Sequence, residues 1–110
     1  MASKVVVIIA TGEKKKARTG IVYAKNACAH NWLDEVKIVF FGPAETLIVE
    51  DEELSRLARE TARECECLAC KAISDREGIS NQIEELGINV KYVGSVTSNL
   101  IKNGYVPMVW

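Results

Sequence analysis

The chain has 110 residues, of which 48% are hydrophobic and 26% are charged, and its net charge is −1. This length predicts a single domain over 1–110 that buries roughly 60–70% of the surface of its unfolded chain, so no disulfide or metal is required for folding. The charge argues against nucleic acid or an anionic membrane as a partner. The longest apolar run near the N-terminus, Val5 to Ala10, is too short for a signal peptide or a membrane span, and we expect a cytoplasmic protein.

The first half of the chain predicts two strands and two helices. Val5–Ala10 is an unbroken apolar run, typical of a strand buried on both faces of a parallel sheet. Small and apolar residues at helical spacing predict a helix from about Glu13 to His30. Val36–Phe41 is the second strand, stopped by Gly42-Pro43. A loop is expected next, and then a helix that begins at Asp51–Glu53, whose negative charges suit the helix dipole.

The middle of the chain allows two interpretations. Glu66–Ala69 is predicted to be a short third strand, and 70–86 is helical in character but interrupted. Gly78 could end one short helix before Ser80 caps the next. Alternatively, Ser74 and Glu77 could form a capping box that starts a single helix later.

The last third adds strand Val90–Gly94, helix Ser95–Asn103 and a final strand Tyr105–Trp110, in which Pro107 indicates an edge position. Strands that alternate with helices predict an α/β fold. We expect a flavodoxin-like three-layer sandwich with a five-stranded, mostly parallel sheet in the order 2-1-3-4-5.

Several kinds of site lack support in the sequence. Residues 11–20 match neither the Walker A spacing nor G-x-G-x-x-G, so we expect no nucleotide and no other cofactor. The single histidine, His30, falls near a helix C-terminus and is expected to cap carbonyl groups there. The basic cluster Lys14–Arg18 is typical of a solvated first helical turn.

Three of the four cysteines, Cys65, Cys67 and Cys70, lie within six residues where a strand passes into a helix. A zinc site needs four ligands, usually as two pairs, and no second pair is present, so no metal is expected. A Cys67–Cys70 disulfide does not fit a strand, because three strand steps separate the α-carbons by about 10 Å and the side chains point to opposite faces.

A single reactive thiol fits better, and its neighbours indicate which one. Glu64 and Glu66 flank Cys65 and Cys67, and negative charge disfavours a thiolate. Cys70 precedes Lys71 at the start of a helix, where a cation and the helix dipole both lower the pKa of a thiol. Cys70 is therefore the candidate nucleophile. Small hydrophobic filling of the core is expected for the other three cysteines, namely Cys28, Cys65 and Cys67.

Nearly the whole chain resembles the DsrE/DsrF-like (YchN-like) family of sulfur-relay proteins, which includes the TusD and TusC subunits. The resemblance consists of an ordered set of segments: Ala17–Ala24, Val36–Pro43, Leu68-Ala69-Cys70, Ala72-Ile73, Arg76–Ile79 and Gly87–Val93. It favours the break at Gly78 over the Ser74 capping box. Two details depart from the family pattern. Glu77 intrudes into a turn resembling Arg-Gly-Ile, and Gly94-Ser95-Val96 stands where some members carry a second cysteine.

The resemblance implies a flavodoxin-like fold, assembly into homotrimers or hexamers, and sulfur transfer in which Cys70 carries a persulfide between donor and acceptor proteins. Loops at the carboxyl ends of the strands would line the substrate site. Its expected binding residues are Thr11, Gly12, Gly42, Lys71 and Ser95. Two alternatives remain: a non-catalytic assembly subunit of the same fold, and a thiol redox or metal-responsive protein that uses Cys67 and Cys70.

Large apolar residues near element ends give the expected oligomer separate support. These residues are Trp32, Phe41, Tyr105, Met108 and Trp110. A C-terminal edge strand that ends in tryptophan is a plausible interface between subunits. Alternatively, the same side chains cap the hydrophobic core.

Overall fold

The computed structural model describes residues 2–110, which form five strands and six helices. The strands are β1 (Lys4–Ile9), β2 (Glu35–Phe40), β3 (Glu66–Cys70), β4 (Asn89–Lys91) and β5 (Val106–Val109). The helices are α1 (Lys14–Ala29), α2 (Pro43–Glu50), α3 (Glu52–Glu64), α4 (Lys71–Glu77), α5 (Ser80–Glu85) and α6 (Val93–Lys102). Across these residues, no helix combines the length and the apolar character that crossing a bilayer requires.

The sheet is parallel throughout, which confirms the predicted α/β class, but its strand order is 4-3-2-1-5. The expected order 2-1-3-4-5 is wrong. Successive connections from β1 to β4 each move one strand in the same direction, and the connection through α6 then returns β5 to the far side of β1. Since parallel crossovers are right-handed, a connection that moves back along the sheet has to pass over its opposite face.

The sheet consequently separates two cores of unequal size. Buried side chains of α1, α2, α3 and α5 pack on one face and form the larger core, whose sheet residues include Val7, Phe40 and Cys67. The smaller core lies on the other face, where α6 contributes Val93 and sheet residues such as Val39, Leu68 and Cys70 meet it. Helices therefore cover both faces of one sheet, which is the three-layer arrangement expected from the sequence.

Local turn chemistry explains most of the element boundaries. Gly78 adopts the left-handed conformation (φ +72°) and ends α4, while α5 starts at Ser80, so the split helix is confirmed. The Ser74 capping box is wrong, because Ser74 lies buried inside α4. The expected loop after Gly42-Pro43 is also wrong, since Pro43 starts α2. Proline favours the first turn of a helix, where its missing N–H is not needed.

The C-terminal residue closes the core beside β1. The Trp110 N–H donates to Ile8 O (2.7 Å), and Trp110 O accepts from the N–H groups of Ala10 (2.9 Å) and Thr11 (3.1 Å). Its ring packs so tightly on α1 that a Cβ at Gly20 would lie 2.6 Å from Trp110 Cγ. The core-capping alternative therefore applies to Trp110, and to the buried Tyr105, while Trp32 and Phe41 are exposed.

A disulfide joins Cys28, in the last turn of α1, to Cys65, which caps the C-terminus of α3. Their α-carbons are 5.9 Å apart across 37 residues of sequence. The expectation that both residues only fill the core is thus wrong. Cys28 does occupy a position on the inward side of α1, and the packing of α1 against α3 brings it to Cys65, a contact that no local pattern reveals.

We expect this disulfide to stabilise the fold by about 4 kcal/mol, because it closes a 37-residue loop in the unfolded chain. The Cys28→Ala/Cys65→Ala double variant should unfold at correspondingly lower urea concentration than the oxidised protein. As a control, a phosphine reductant should lower the midpoint of the unmodified protein and leave that of the double variant unchanged. Equal midpoints for the oxidised protein and the double variant would contradict the prediction.

Candidate functional site at the carboxyl edge of the sheet

Cys70 is the last residue of β3 and the N-cap of α4, so no loop separates the strand from the helix. Its backbone is still extended (φ −72°, ψ 113°), and Lys71 is the first helical residue. Because side chains alternate along a strand, Cys70 points with Leu68 into the smaller core. Its thiol is free, and 7% of the residue surface is exposed.

Cys67 is the other free thiol, and it points to the opposite face, into the larger core. Burial raises the pKa of the Cys67 thiol to about 12, and the neighbouring Glu66 carboxylate adds to that effect. Cys67 therefore stays protonated at neutral pH and is a weak nucleophile. The two thiols are separated by the sheet itself, which keeps them from pairing while β3 stays folded.

Lys71, the cation expected to act beside Cys70, is engaged elsewhere. Its ammonium group contacts Asp75 Oδ2 at 2.9 Å, one helical turn further on, and this contact raises the pKa of Lys71. Ser80 donates to the other oxygen of Asp75, and Ser80 also shares a hydrogen bond with the buried Ser74. The hydrogen bond from Ser80 lowers the pKa of Asp75 most, and the contact with Lys71 lowers it further. The carboxylate therefore remains charged and holds the lysine.

Three predicted binding residues lie together at the ends of β1 and β2. Thr11 Oγ1 accepts a hydrogen bond from the Glu13 N–H (3.0 Å) in the turn that leads into α1. A Cβ at Gly12 would lie 3.1 Å from Pro43 Cβ, so the two loops are in contact. Gly42 has a φ of +71°, which favours glycine. These two loops lie at the carboxyl ends of β1 and β2, which are the strands on one side of β3.

Ser95 does not follow a strand as expected. Strand β4 ends at Lys91, and Ser95 lies exposed in the first turn of α6, with its Oγ directed at Tyr92 O (3.5 Å). The same helix covers Cys70, because Val93 and Val96 belong to the cluster around the thiol. Ser95 therefore belongs to the element that shields Cys70.

Glu45 is a buried carboxyl group at this edge that the sequence reasoning missed. It lies in the first turn of α2 with no exposed surface, and its Oε2 accepts from the Gly42 N–H (3.1 Å). Its Oε1 has no hydrogen-bond partner among the described residues. The sequence did carry a signal, since proline followed by glutamate two positions later is typical of the first turn of a capped helix.

A groove of about 280 Å³ opens at the opposite end of the sheet, where β2 and β3 begin, beside the Cys28–Cys65 disulfide. Four carboxylate residues line it, namely Asp34, Glu35, Glu64 and Glu66. Its lysine, Lys37, is held by Glu66 at 2.6 Å. Parallel α/β sheets place their sites at the carboxyl ends of the strands, and this groove lies at the other ends. We therefore assign the candidate site to the Cys70 edge.

No group of three or more histidine, cysteine, aspartate or glutamate residues within 2–110 is arranged to hold a metal ion. His30 is the C-cap residue of α1, as its position predicted, and its ring stacks on Trp32 with centroids 5.8 Å apart. At the carboxyl edge, the free thiol is that of Cys70.

The sequence matches no protein-family model and no curated protein. Solved structures share the fold, and the following two are among them. A conserved protein of unknown function from Bacteroides thetaiotaomicron has a TM-score of 0.91 and 23% identity, with 98% of this chain and 95% of that chain covered. A protein of unknown function from Methanobacterium thermoautotrophicum has a TM-score of 0.78 and 18% identity, with 98% and 99% covered. These likenesses support the fold, and membership of the DsrE/DsrF-like family stays a prediction.

Burial raises the pKa of Glu45 to about 7, although the Gly42 N–H partly offsets this effect. The unfolded chain loses the same proton near pH 4.3. Between these values the native state binds more protons, so the free energy of unfolding should fall as pH rises from about 4 to 8, by on the order of 3 kcal/mol.

Glu45→Gln should remove this fall, because an amide oxygen can still accept from Gly42 and carries no charge. Urea unfolding at several pH values measures the difference between this variant and the unmodified protein. Glu50→Gln, at the exposed end of the same helix, is the matched control. Parallel pH profiles for the unmodified protein and Glu45→Gln would contradict the prediction.

Proposed function

We propose that this protein is a sulfur carrier that holds sulfane sulfur as a persulfide on Cys70 and passes it to an acceptor protein. The observation that carries the proposal is the separation of the four cysteines. Two form a disulfide, Cys67 is protonated in the larger core, and Cys70 is a free thiol at the carboxyl edge of the sheet. The resemblance of the segment around Cys70 to the DsrE/DsrF-like family gives the same assignment.

The loading step is a displacement at sulfur. The Cys70 thiolate attacks the outer sulfur of a donor such as thiosulfate, and a new S–S bond forms to that sulfur. The S–S bond of the donor breaks, and sulfite leaves with the electron pair. A total charge of −3 is present before and after the step. Transfer to the acceptor repeats the displacement, with the acceptor thiolate as nucleophile and the Cys70 thiolate as leaving group.

Thiosulfate or polysulfide treatment should add about 32 Da to Cys70 for each sulfur atom gained, as a persulfide requires. Trypsin leaves Cys65, Cys67 and Cys70 in the single peptide 64–71. Without reductant, this peptide stays joined to the Cys28 peptide through the disulfide. Cleavage after Glu66 releases peptide 67–71, and fragment ions of that peptide then distinguish Cys70 from Cys67. Cys70→Ser should abolish the added sulfur, and Cys67→Ser is the matched control that should keep it.

Sulfur that appears equally on Cys67, or that persists in Cys70→Ser, would overturn the assignment. Absence of added sulfur from every cysteine would favour a non-catalytic assembly subunit of the same fold. A redox role for Cys67 and Cys70 predicts loss of both free thiols on oxidation, which a thiol count with and without reductant measures.

We further propose that the chain forms a homotrimer or hexamer in the cytoplasm, where the Cys70 thiol stays reduced. Strand β5 lies at one edge of the sheet, and its Val106 and Val109 are 62% and 66% exposed. Apolar side chains on an unpaired strand edge favour contact with another subunit. The Cys28–Cys65 disulfide is compatible with this location in organisms whose intracellular proteins contain structural disulfides.

Light scattering should give three or six times the 12.1 kDa of one chain. Val109→Glu should lower that mass, because a charge at the contact opposes burial. Ile101→Glu, on the exposed side of α6, is the matched comparison. A mass equal to one chain for the unmodified protein would contradict the proposal, and loss of assembly only in Ile101→Glu would move the contact from β5 to α6.

A further inference from the structure

Lys91 is the cation that the sheet places beside Cys70. The parallel pairing of β3 with β4 makes Cys70 and Lys91 register partners at the last position of each strand. Register partners on neighbouring strands lie about 5 Å apart, and their side chains leave the sheet on the same face. The Lys91 side chain therefore starts on the face where the Cys70 thiol lies, and it is exposed to solvent.

The charge of Lys91 is available to a ligand. Among residues 2–110, no carboxylate oxygen lies within 4 Å of its ammonium group. Lys71, which adjoins Cys70 in sequence, is instead held by Asp75 at 2.9 Å. Lys14, at the same edge, is held by Asp51 and Glu53 at 3.1 and 3.2 Å. Lys91 is thus a free cation one strand away from the proposed nucleophile.

We infer that Lys91 attracts the sulfur donor to Cys70, and that the donor is a small anion such as thiosulfate or polysulfide. This inference rests on the proposed function of Cys70 and adds to it the charge class of the substrate. The position of Lys91 at the end of the edge strand β4 leaves its ammonium open to solvent, so an anion can approach it without passing through the core. Positive charge at a site raises the local concentration of anions and favours the developing sulfite.

Alkylation separates recruitment of an anion from the intrinsic reactivity of the thiol. Iodoacetate is an anion and iodoacetamide is neutral, and each transfers a carboxymethyl or carbamidomethyl group to the Cys70 thiolate as iodide leaves. Lys91→Gln should lower the ratio of the iodoacetate rate to the iodoacetamide rate at Cys70 by about 3- to 10-fold at low ionic strength. Lys91→Arg should keep the ratio, and 1 M salt should remove most of the difference.

Lys102→Gln is the matched control, since it removes the same charge from an exposed lysine at the other end of α6. Its ratio should equal that of the unmodified protein. An unchanged ratio in Lys91→Gln would overturn the inference. A fall in Lys71→Gln without one in Lys91→Gln would also overturn it and would assign the role to Lys71.

Sulfur loading of the same variants distinguishes this inference from the proposed function. Lys91→Gln should need several-fold more thiosulfate for half-maximal loading of Cys70, with the maximal rate changed less. Loading that is normal in Lys91→Gln overturns the role of Lys91 and leaves Cys70 as the carrier. If Cys70 takes up no sulfur in the unmodified protein, the proposed function fails, while the alkylation ratio still reports whether Lys91 attracts anions to the thiol.

Discussion

The parallel pairing of β3 between β2 and β4 is the interaction on which the rest of the structure depends. Its register directs Cys67 into the larger core and Cys70 into the smaller one. Because side chains alternate along a strand, a slip of one residue would exchange the two thiols and also place charged Glu66 toward the larger core. The burial of Leu68 and Ala69 on opposite faces opposes such a slip and fixes the position of the thiol.

The four cysteines have different chemistry because the fold gives them different surroundings. Cys28 and Cys65 meet where α1 packs on α3, and oxidation removes both as nucleophiles. Cys67 is buried beneath several helices, which raises the pKa of its thiol. Cys70 lies at the end of its strand, on the face that α6 covers and that Ile73 of α4 also contacts. The position of α6 on that face follows from the topology, since the connection through α6 is the one that returns along the sheet.

Features set by local chemistry could be predicted from the sequence, and features set by distant contacts could not. The alternation of strands and helices, the break at Gly78 and the opposite directions of Cys67 and Cys70 all depend on residues near each other in the chain. The strand order and the Cys28–Cys65 disulfide depend on how segments pack, and right-handed crossovers are compatible with several orders. Glu45 is an intermediate case, because the sequence contains its capping pattern but does not reveal that its side chain is buried.

The choice of cation beside Cys70 illustrates the same distinction in electrostatic terms. Lys71 is adjacent in sequence, yet a strand that passes directly into a helix sends consecutive side chains in different directions, and helical spacing offers Lys71 a partner at Asp75. Lys91 is 21 positions away, yet strand pairing aligns its side chain with that of Cys70. In this sheet, register with the neighbouring strand places an unpaired cation on the face of the thiol, and adjacency in sequence does not.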